Sequence, residues 1–411
     1  MGGKLMRRIT LYGATGFTGK LAAHQLWNEV QASPFQVRLA GRNREKLEEL
    51  RRSLGSQAER EVEIAIADAQ DRDALRRLTQ DTHVLISTAG PYTLYGPLLV
   101  EACVQSGTHY LDITGETPFV RGLIDRHHVE ARSRQIKVVP FCGFDSIPSD
   151  LGFWKMHQEW GLAFGQQAEP DLRITSLYQL RGGFNGGTLA SGMELLRRGE
   201  SAKVKGDPHL LVPDSSRLEF PPGGDWQGTR FIPECGLWGA PFFMAPINTR
   251  VVRRSQYLVS TGEVQSPSGV YTRSQYQEAL GFRRRGQAVL TDWTQRIIES
   301  LPQQAAFVDL LQWLLPRPGS GPSEQIRCEG FTRATFLAQD QKGHSLLKRF
   351  RYVGDPGNTF TVMALVQSAL ILLTQEDAQR SQHEAYGVLT PATALGDALW
   401  SRLIAKGVSW E

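Results

Sequence analysis

The apolar run Ile9-Thr10-Leu11-Tyr12 leads directly into Gly13-Ala14-Thr15-Gly16-Phe17-Thr18-Gly19, three glycines spaced by three. That spacing suits one chemical task, the cradling of a dinucleotide's pyrophosphate. The first glycine permits a tight turn, the second lets backbone approach the phosphates, and the third lets helix and strand pack closely. The phosphates then rest on the N-terminus of the helix that begins here. Gly13, Thr15, Gly16, Phe17, Thr18 and Gly19 are the expected cofactor contacts of this turn.

The next apolar segment, Gln36-Val37-Arg38-Leu39-Ala40, ends in Gly41-Arg42-Asn43-Arg44. An NAD-binding chain carries an acid about 20 residues past the glycines, where it holds the ribose 2′-hydroxyl. No acid stands here. Arg42, with Asn43 beside it, offers a guanidinium suited to a 2′-phosphate, so NADP(H) is expected over NAD(H). Arg44 and Lys46 read as the opening of a charged helix. Asp68 and the turn Thr88-Ala89-Gly90-Pro91 complete the expected cofactor contacts. Gly90-Pro91 lets the backbone run close to the ribose and nicotinamide.

Candidates for the chemistry itself fall at the ends of later strands, where ligands of open α/β sheets bind. Tyr92 and Tyr95 are read either as a proton donor and a stacking face or as core aromatics. Asp112 alternates with apolar neighbours in Tyr110-Leu111-Asp112-Ile113, and a carboxylate there is paired or functional because lone burial is costly. Glu116 is read as a ligand or as the start of a helix. Asp145 and Ser146, in Cys142-Gly143-Phe144-Asp145-Ser146, are expected to face the nicotinamide and substrate. Ser149 is read as a helix N-cap, with Asp150 as the alternative. Asn185-Gly186-Gly187-Thr188 could form an anion or carbonyl-oxygen site at a helix start, or a plain cap. Tyr92, Asp112, Asp145 and Ser146 make up the catalytic expectation. No G-x-S-x-G is present, so nucleophilic serine hydrolysis is not supported.

These residues need a scaffold of alternating strands and helices. Strands are expected at 8–12, 36–40, 62–66, 83–88, 109–113 and 137–141, with helices at 19–31, 44–54, 71–78, 95–106 and 119–134. This is the βαβ rhythm of a Rossmann-type doubly wound parallel sheet over residues 1–150. A mixed α+β domain for substrate and dimerisation is expected over 151–386. It holds a strand at 172–180, long loops between short strands at 205–250, paired antiparallel strands at 327–339 and 346–353, and a helix at 359–374. Residues 387–411 are expected to return a final helix, 391–406, to the first domain. Pro316 to Ser323 reads as a mobile connector.

With 411 residues, two domains are the natural expectation. The chain is 41% hydrophobic and 21% charged, ordinary for a soluble protein, and its net charge of +4 is spread without a basic stripe. Nucleic acid is therefore not an expected partner. Arg250, Arg253 and Arg254, and Arg283 to Arg285, read as solvated faces or as contacts to an anionic ligand. Cys103, Cys142, Cys235 and Cys328 are the four cysteines, far apart and without C-x-x-C or H-E-x-x-H. No metal site or disulfide framework is indicated, and reduced thiols in a cytoplasmic protein are expected. No signal peptide is evident. The apolar stretch Phe360 to Leu373 is too short to span a bilayer and reads as a buried helix.

Together these motifs resemble the saccharopine dehydrogenase superfamily, and within it the branch of saccharopine dehydrogenase-like oxidoreductases and trans-acting enoyl reductases. The resemblance is carried by GATGFTG at 13–19, LAGRN at 39–43, TAGPYTLYG at 88–96, YLDITGE at 110–116 and GFDSIPSDLG at 143–152. It continues in GGFNGGTLAS at 182–191, APFFMAPINTRVVRRS at 240–255, GPSE at 321–324 and LTPATALGDAL at 389–399. It implies an NADP-type nucleotide domain, a mixed second domain and a homodimer. In the mycobacterial branch it implies reduction of an enoyl double bond in polyketide-derived glycolipid synthesis. Animal relatives are associated with lipid droplets and membranes, which adds peripheral membrane contact to the expectations. True saccharopine reductases carry a GLDPG-type loop where this chain has Gly143-Phe144-Asp145-Ser146-Ile147, so the Pro-Gly of that chemistry is missing.

The leading expectation is an NADPH-dependent reductase of an activated C=C bond in a lipid-like enoyl substrate. Tyr92, or backbone near Ser146, would stabilise the enolate oxygen. Leu237 to Met244 would line an acyl groove or pack in the core. The alternatives are an imine or aldehyde reductase of amino-acid metabolism, using Arg250, Arg253 and Arg254 for two carboxylates, and a non-catalytic lipid-surface protein.

Overall fold

A computed structural model describes residues 7–165, 172–183, 191, 193–194, 197–199, 204–214, 216, 224–265, 274–300, 321–375 and 385–411. Residues 184–190, which hold the Asn185–Thr188 turn, and all but the end of the Pro316–Ser323 connector lie outside these.

Seven parallel strands form the first sheet. They are β1 (Arg8–Tyr12), β2 (Gln36–Gly41), β3 (Glu63–Ile66), β4 (Val84–Ser87), β5 (His109–Asp112), β6 (Lys137–Val139) and β13 (Gly387–Val388). Their order is β13-β6-β5-β4-β1-β2-β3. Strands such as Val84-Leu85-Ile86-Ser87 are buried along their whole length, as expected when helices cover both faces. The helices between them are α1 (Phe17–Val30), α2 (Arg44–Ser53), α3 (Ser56–Glu61), α4 (Arg72–Thr79), α5 (Tyr92–Tyr95), α6 (Pro97–Ser106) and α7 (Thr117–Ser133). Two of them start on clear side-chain caps. Asn43 Oδ1 accepts from Lys46 N, and Asp71 Oδ1 accepts from Ala74 N. The chain runs outward from β1 through β2 to β3, then restarts at β4 on the other side of β1. The gap between β1 and β4 is therefore the switch point at which such sheets bind nucleotides.

Helix α8 (Ile147–Phe164) leads into a second, mixed sheet of order β14-β12-β11-β7-β10-β9-β8. Its strands are β7 (Arg173–Arg181), β8 (Arg230–Ile232), β9 (Leu237–Ala240), β10 (Gln275–Phe282), β11 (Phe331–Gln339), β12 (Ser345–Val353) and β14 (Ser409–Trp410). Only β7 and β10 pair in parallel.

The C-terminal chain returns to the first sheet. β13 extends it beside β6, and Thr390 then caps the helix Pro391–Ala405 through a reciprocal pair with Thr393. Asp150 of α8 fastens this return. One carboxylate oxygen accepts from Ala392 N at 2.8 Å and the other from Ser255 Oγ. The helix Thr361–Gln375 also packs on this domain, against α1, β4 and β5. It continues the apolar Pro356–Thr374 stretch, which is long enough to cross a membrane but lies mostly buried in the core.

Several elements of the second domain differ from expectation. Helix Ala245–Ser260 begins within the stretch read as loops, and strand β10 and helix Arg285–Ser300 had no counterpart. For helix Ala245–Ser260 and β10 the cause is buried polar residues. Helix Ala245–Ser260 buries Asn248, Arg250, Arg253, Arg254 and Gln256, and β10 buries Glu278, so neither shows a clean apolar period. Arg250, Arg253 and Arg254 are thus not a solvated face. Arg250 pairs with Asp225 at 2.6 Å and donates to the carbonyls of Val204, Lys205 and Asp207. Arg253 donates to Pro208 O, and Arg254 to Val388 O. These guanidinia hold the fold and are not free for two substrate carboxylates. Arg283, Arg284 and Arg285 are exposed. Of the 237–244 segment, Leu237, Phe242 and Met244 are core residues, whereas Phe243 is 48% exposed.

Candidate functional site

The glycine turn lies at the switch point. Gly13 has φ +77°, and a Cβ there would stand 2.8 Å from Ala89 N, so only glycine lets the turn after β1 lie against the turn after β4. A Cβ on Gly19 would collide with the Gly13 carbonyl, which fixes the closeness of α1 to the turn. Gly16 is different. A Cβ there would meet only the Gly13 carbonyl among the described residues, at 3.4 Å, so the turn is less crowded at Gly16 than at Gly13 or Gly19. Gly16 is also the N-cap of α1 and offers no side chain to the first N–H groups. Helix N–H groups left without a side-chain cap fit a phosphate.

The remaining cofactor candidates surround this turn. Thr88 Oγ1 donates to the carbonyls of Tyr12 and Gly13, at 3.2 and 3.1 Å. Thr88, Ala89, Gly90 and Pro91 are all half-buried, and the Gly90-Pro91 peptide is cis. Thr15 and Phe17 are half-buried and Thr18 is buried. Arg42 is exposed, makes no ion pair among the described residues, and stands 5.9 Å from the centroid of the Tyr95 ring. Tyr95 is therefore a neighbour of the 2′-phosphate candidate. Asn43 spends its side-chain oxygen on capping α2. Asp68 is exposed and accepts from Gln70 N at 2.9 Å. It also faces Tyr12, whose hydroxyl is pushed up to about 12 by burial and by the Asp68 charge.

The catalytic candidates gather at the C-terminal ends of β4, β5 and β6. Asp112 is fully buried at the end of β5. It accepts from Thr114 N at 3.0 Å, Phe141 N at 3.3 Å and the Tyr110 hydroxyl at 2.9 Å. Burial pushes its carboxyl up to about 7, against the pull of these donors. Tyr92 is buried, stacks on Phe119 and donates its hydroxyl to Ser87 O at 3.2 Å. Burial, and then the charges of Asp112, Glu116 and Asp145, hold that hydroxyl well above its ordinary range. Asp145 stands just ahead of α8 and is half-buried. It has no hydrogen bond or ion pair among the described residues. Its Oδ2 lies 3.6 Å from the place a Cβ on Gly115 would take, and burial pushes its carboxyl up to about 6. A half-buried carboxyl raised to about 6 exchanges its proton close to neutral pH and is equipped for acid–base work.

Ser146 is fully buried and starts α8 without a side-chain cap bond. Its hydroxyl donates to Asn248 Oδ1 at 3.3 Å, Asn248 donates to Glu278 at 2.7 Å, and Glu278 also accepts from Ser149 and Tyr276. Ser149 is thus no N-cap. It hangs on Glu278, a buried carboxyl pushed up to about 7 by its burial. No local pattern connects these residues, which come from three elements. Glu116 likewise takes a role outside its own helix. It is fully buried and accepts from the N–H groups of Tyr92 and Thr93, both at 2.8 Å, and from the Thr93 hydroxyl. It therefore anchors the N-terminus of α5 from a neighbouring loop. Among the described residues no cluster of His, Cys, Asp and Glu could hold a metal ion.

Residues 9–139 match the family described as the saccharopine dehydrogenase NADP binding domain. Over nearly the full length, a protein of Mycobacterium tuberculosis provisionally named a trans-acting enoyl reductase is 35% identical, covering 98% of this chain and 96% of its own. The trans-acting enoyl reductase of Mycobacterium ulcerans is 33% identical over 97% of this chain and 96% of its own. In fold, the chain is similar to apo saccharopine dehydrogenase (L-Glu forming) from Saccharomyces cerevisiae. The TM-score is 0.51 and the identity 12%, over 98% of this chain and 99% of that one. The chain belongs to the family of trans-acting enoyl reductases, oxidoreductases built on the NADP-binding domain of the saccharopine dehydrogenases.

Proposed function

We propose that the protein is an NADPH-dependent reductase of an activated C=C bond in an acyl substrate of lipid or polyketide type. The observation that carries this reading is Asp145, an unpaired carboxyl raised toward neutrality on the same sheet edge as the glycine cradle. The full-length relatives that are named for enoyl reduction point the same way. The amino-acid alternative has lost its candidate ligands, since Arg250, Arg253 and Arg254 are buried among carbonyls and Asp225.

The N–H groups at the start of α1 would hold the nucleotide's phosphates, and Arg42 would hold its 2′-phosphate. When bound, NADPH supplies a hydride. The Thr88–Pro91 turn, kept in place by the bonds of Thr88 to Tyr12 and Gly13, would line the cofactor site. Asp145 holds the proton that the substrate's α-carbon takes up. Asp112 and Tyr92 position this edge. Asp112 ties the ends of β5 and β6 together through Thr114 and Phe141, and Tyr92 fastens its loop to Ser87.

The test is NADPH oxidation by the purified protein with enoyl thioesters of graded chain length. Wild type should turn over. Asp145→Asn should lose about a hundredfold in kcat, the scale of one acid–base group, with NADPH affinity unchanged. Unchanged turnover in Asp145→Asn would remove that residue from the chemistry.

A further inference from the structure

The second domain reaches over the glycine turn. Phe17 is the first residue of α1, and Gly321 presses so closely on its ring that a Cβ would collide with it. Beside it stands Arg327, from the short helix Glu324–Glu329, with its guanidinium carbon 6.0 Å from the centroid of the same ring. The backbone of this helix is well tied. Ser323 caps it, and the Arg327 carbonyl accepts from Asp355 N at 2.9 Å. The side chain of Arg327 is not tied. Its Nε is shielded from solvent with no hydrogen-bond partner, and no acid among the described residues pairs with it. By contrast Arg181 takes up Glu329 of that helix, at 2.9 Å.

A shielded guanidinium N–H without an acceptor is costly. Arg8, Arg51 and Arg254 also carry such an Nε, but their terminal nitrogens are hydrogen-bonded, whereas Arg327 has no side-chain hydrogen bond among the described residues. Arginine's planar fork is matched to phosphate oxygens. The group that the proposed function brings to the N-terminus of α1 is a diphosphate. We propose that Arg327 is a ligand of the cofactor's pyrophosphate, supplied by the second domain, so that the nucleotide is held between the two domains. This rests on NADPH being the cofactor. Arg327 and Arg42 then divide the anion between them. Arg42 takes the 2′-phosphate, which only NADPH has, and Arg327 the pyrophosphate, which NADPH and NADH share.

The experiment measures dissociation constants of NADPH and NADH for the full chain as wild type, Arg327→Met, Arg327→Lys and Arg42→Ala. Methionine keeps an apolar stem over Phe17. Arg327→Met should weaken NADPH and NADH by the same factor, about 10- to 100-fold for a charge-assisted bond. Arg327→Lys should fall between it and wild type, and Arg42→Ala should weaken NADPH alone. Wild-type affinity for both nucleotides in Arg327→Met would overturn the proposal, as would a loss confined to NADPH. If Arg327→Met does not fold, Arg327→Lys decides alone. An equal loss for both nucleotides supports the proposal, and no loss or a loss for NADPH only overturns it. Failure of wild type to bind NADPH would instead strike the functional reading on which the proposal rests.

Discussion

Replacing Asp112 by asparagine should make the protein more stable at alkaline pH relative to wild type, and less so as the pH falls. Asp112 is fully buried, and its carboxyl is raised from 3.8 to about 7 by that burial. A raised carboxyl binds its proton more tightly in the folded state than in the unfolded chain. Between the two pKa values the folded state holds more protons, so wild-type stability falls as pH rises through this window and levels off above it. The shift of about three units, at about 1.4 kcal/mol per unit, caps the effect at about 4 kcal/mol. The asparagine side chain would keep an oxygen for the N–H groups of Thr114 and Phe141 and would carry no charge. Tyr110 would lose its carboxylate acceptor, an offset of about 1 kcal/mol at every pH. The stability difference, variant minus wild type, should therefore climb between about pH 4 and pH 7, the span of the two pKa values. Urea unfolding of both proteins across that range measures it. A flat difference, or one that falls with pH, would refute the reasoning, because it would mean that Asp112 is ionised in the folded state at acid pH.

Arg42→Ala should erase the preference for NADPH over NADH, about 10- to 100-fold on the scale of one charge-assisted phosphate contact, read as the ratio of the two dissociation constants. Glu116→Ala should cost about 3–5 kcal/mol in urea unfolding, because the N–H groups of Tyr92 and Thr93 lose a buried acceptor together. A cost below about 1 kcal/mol would show that water replaces the carboxylate.

Six strands of the first sheet were readable because each is a short apolar run and each turn after a strand carries its own chemistry; β13, two residues added beside β6 by the returning C-terminal chain, had no such signal. Val84-Leu85-Ile86-Ser87 and the glycine turn are local patterns, and local patterns survive in sequence. The second sheet was harder. In β10 the inward residue is Glu278, and in helix Ala245–Ser260 three arginines point inward, so hydrophobic periodicity had little to work on. Their burial is balanced by partners far away in the chain, such as Asp225 for Arg250 and Asn248 for Glu278. The site divides the same way. The glycines, Arg42 and the strand-end acids stand out by type and place. Glu116 holding α5, Ser149 hanging on Glu278, and Arg327 above Phe17 are long-range juxtapositions that only the fold creates.

The decisive measurement is NADPH consumption with a series of enoyl thioesters, with the acyl product identified. Consumption of NADPH with one-to-one formation of the saturated thioester is the expected result. NADPH that binds tightly yet is not oxidised by any enoyl thioester, or that is oxidised only with an aldehyde and glutamate, would contradict the assignment.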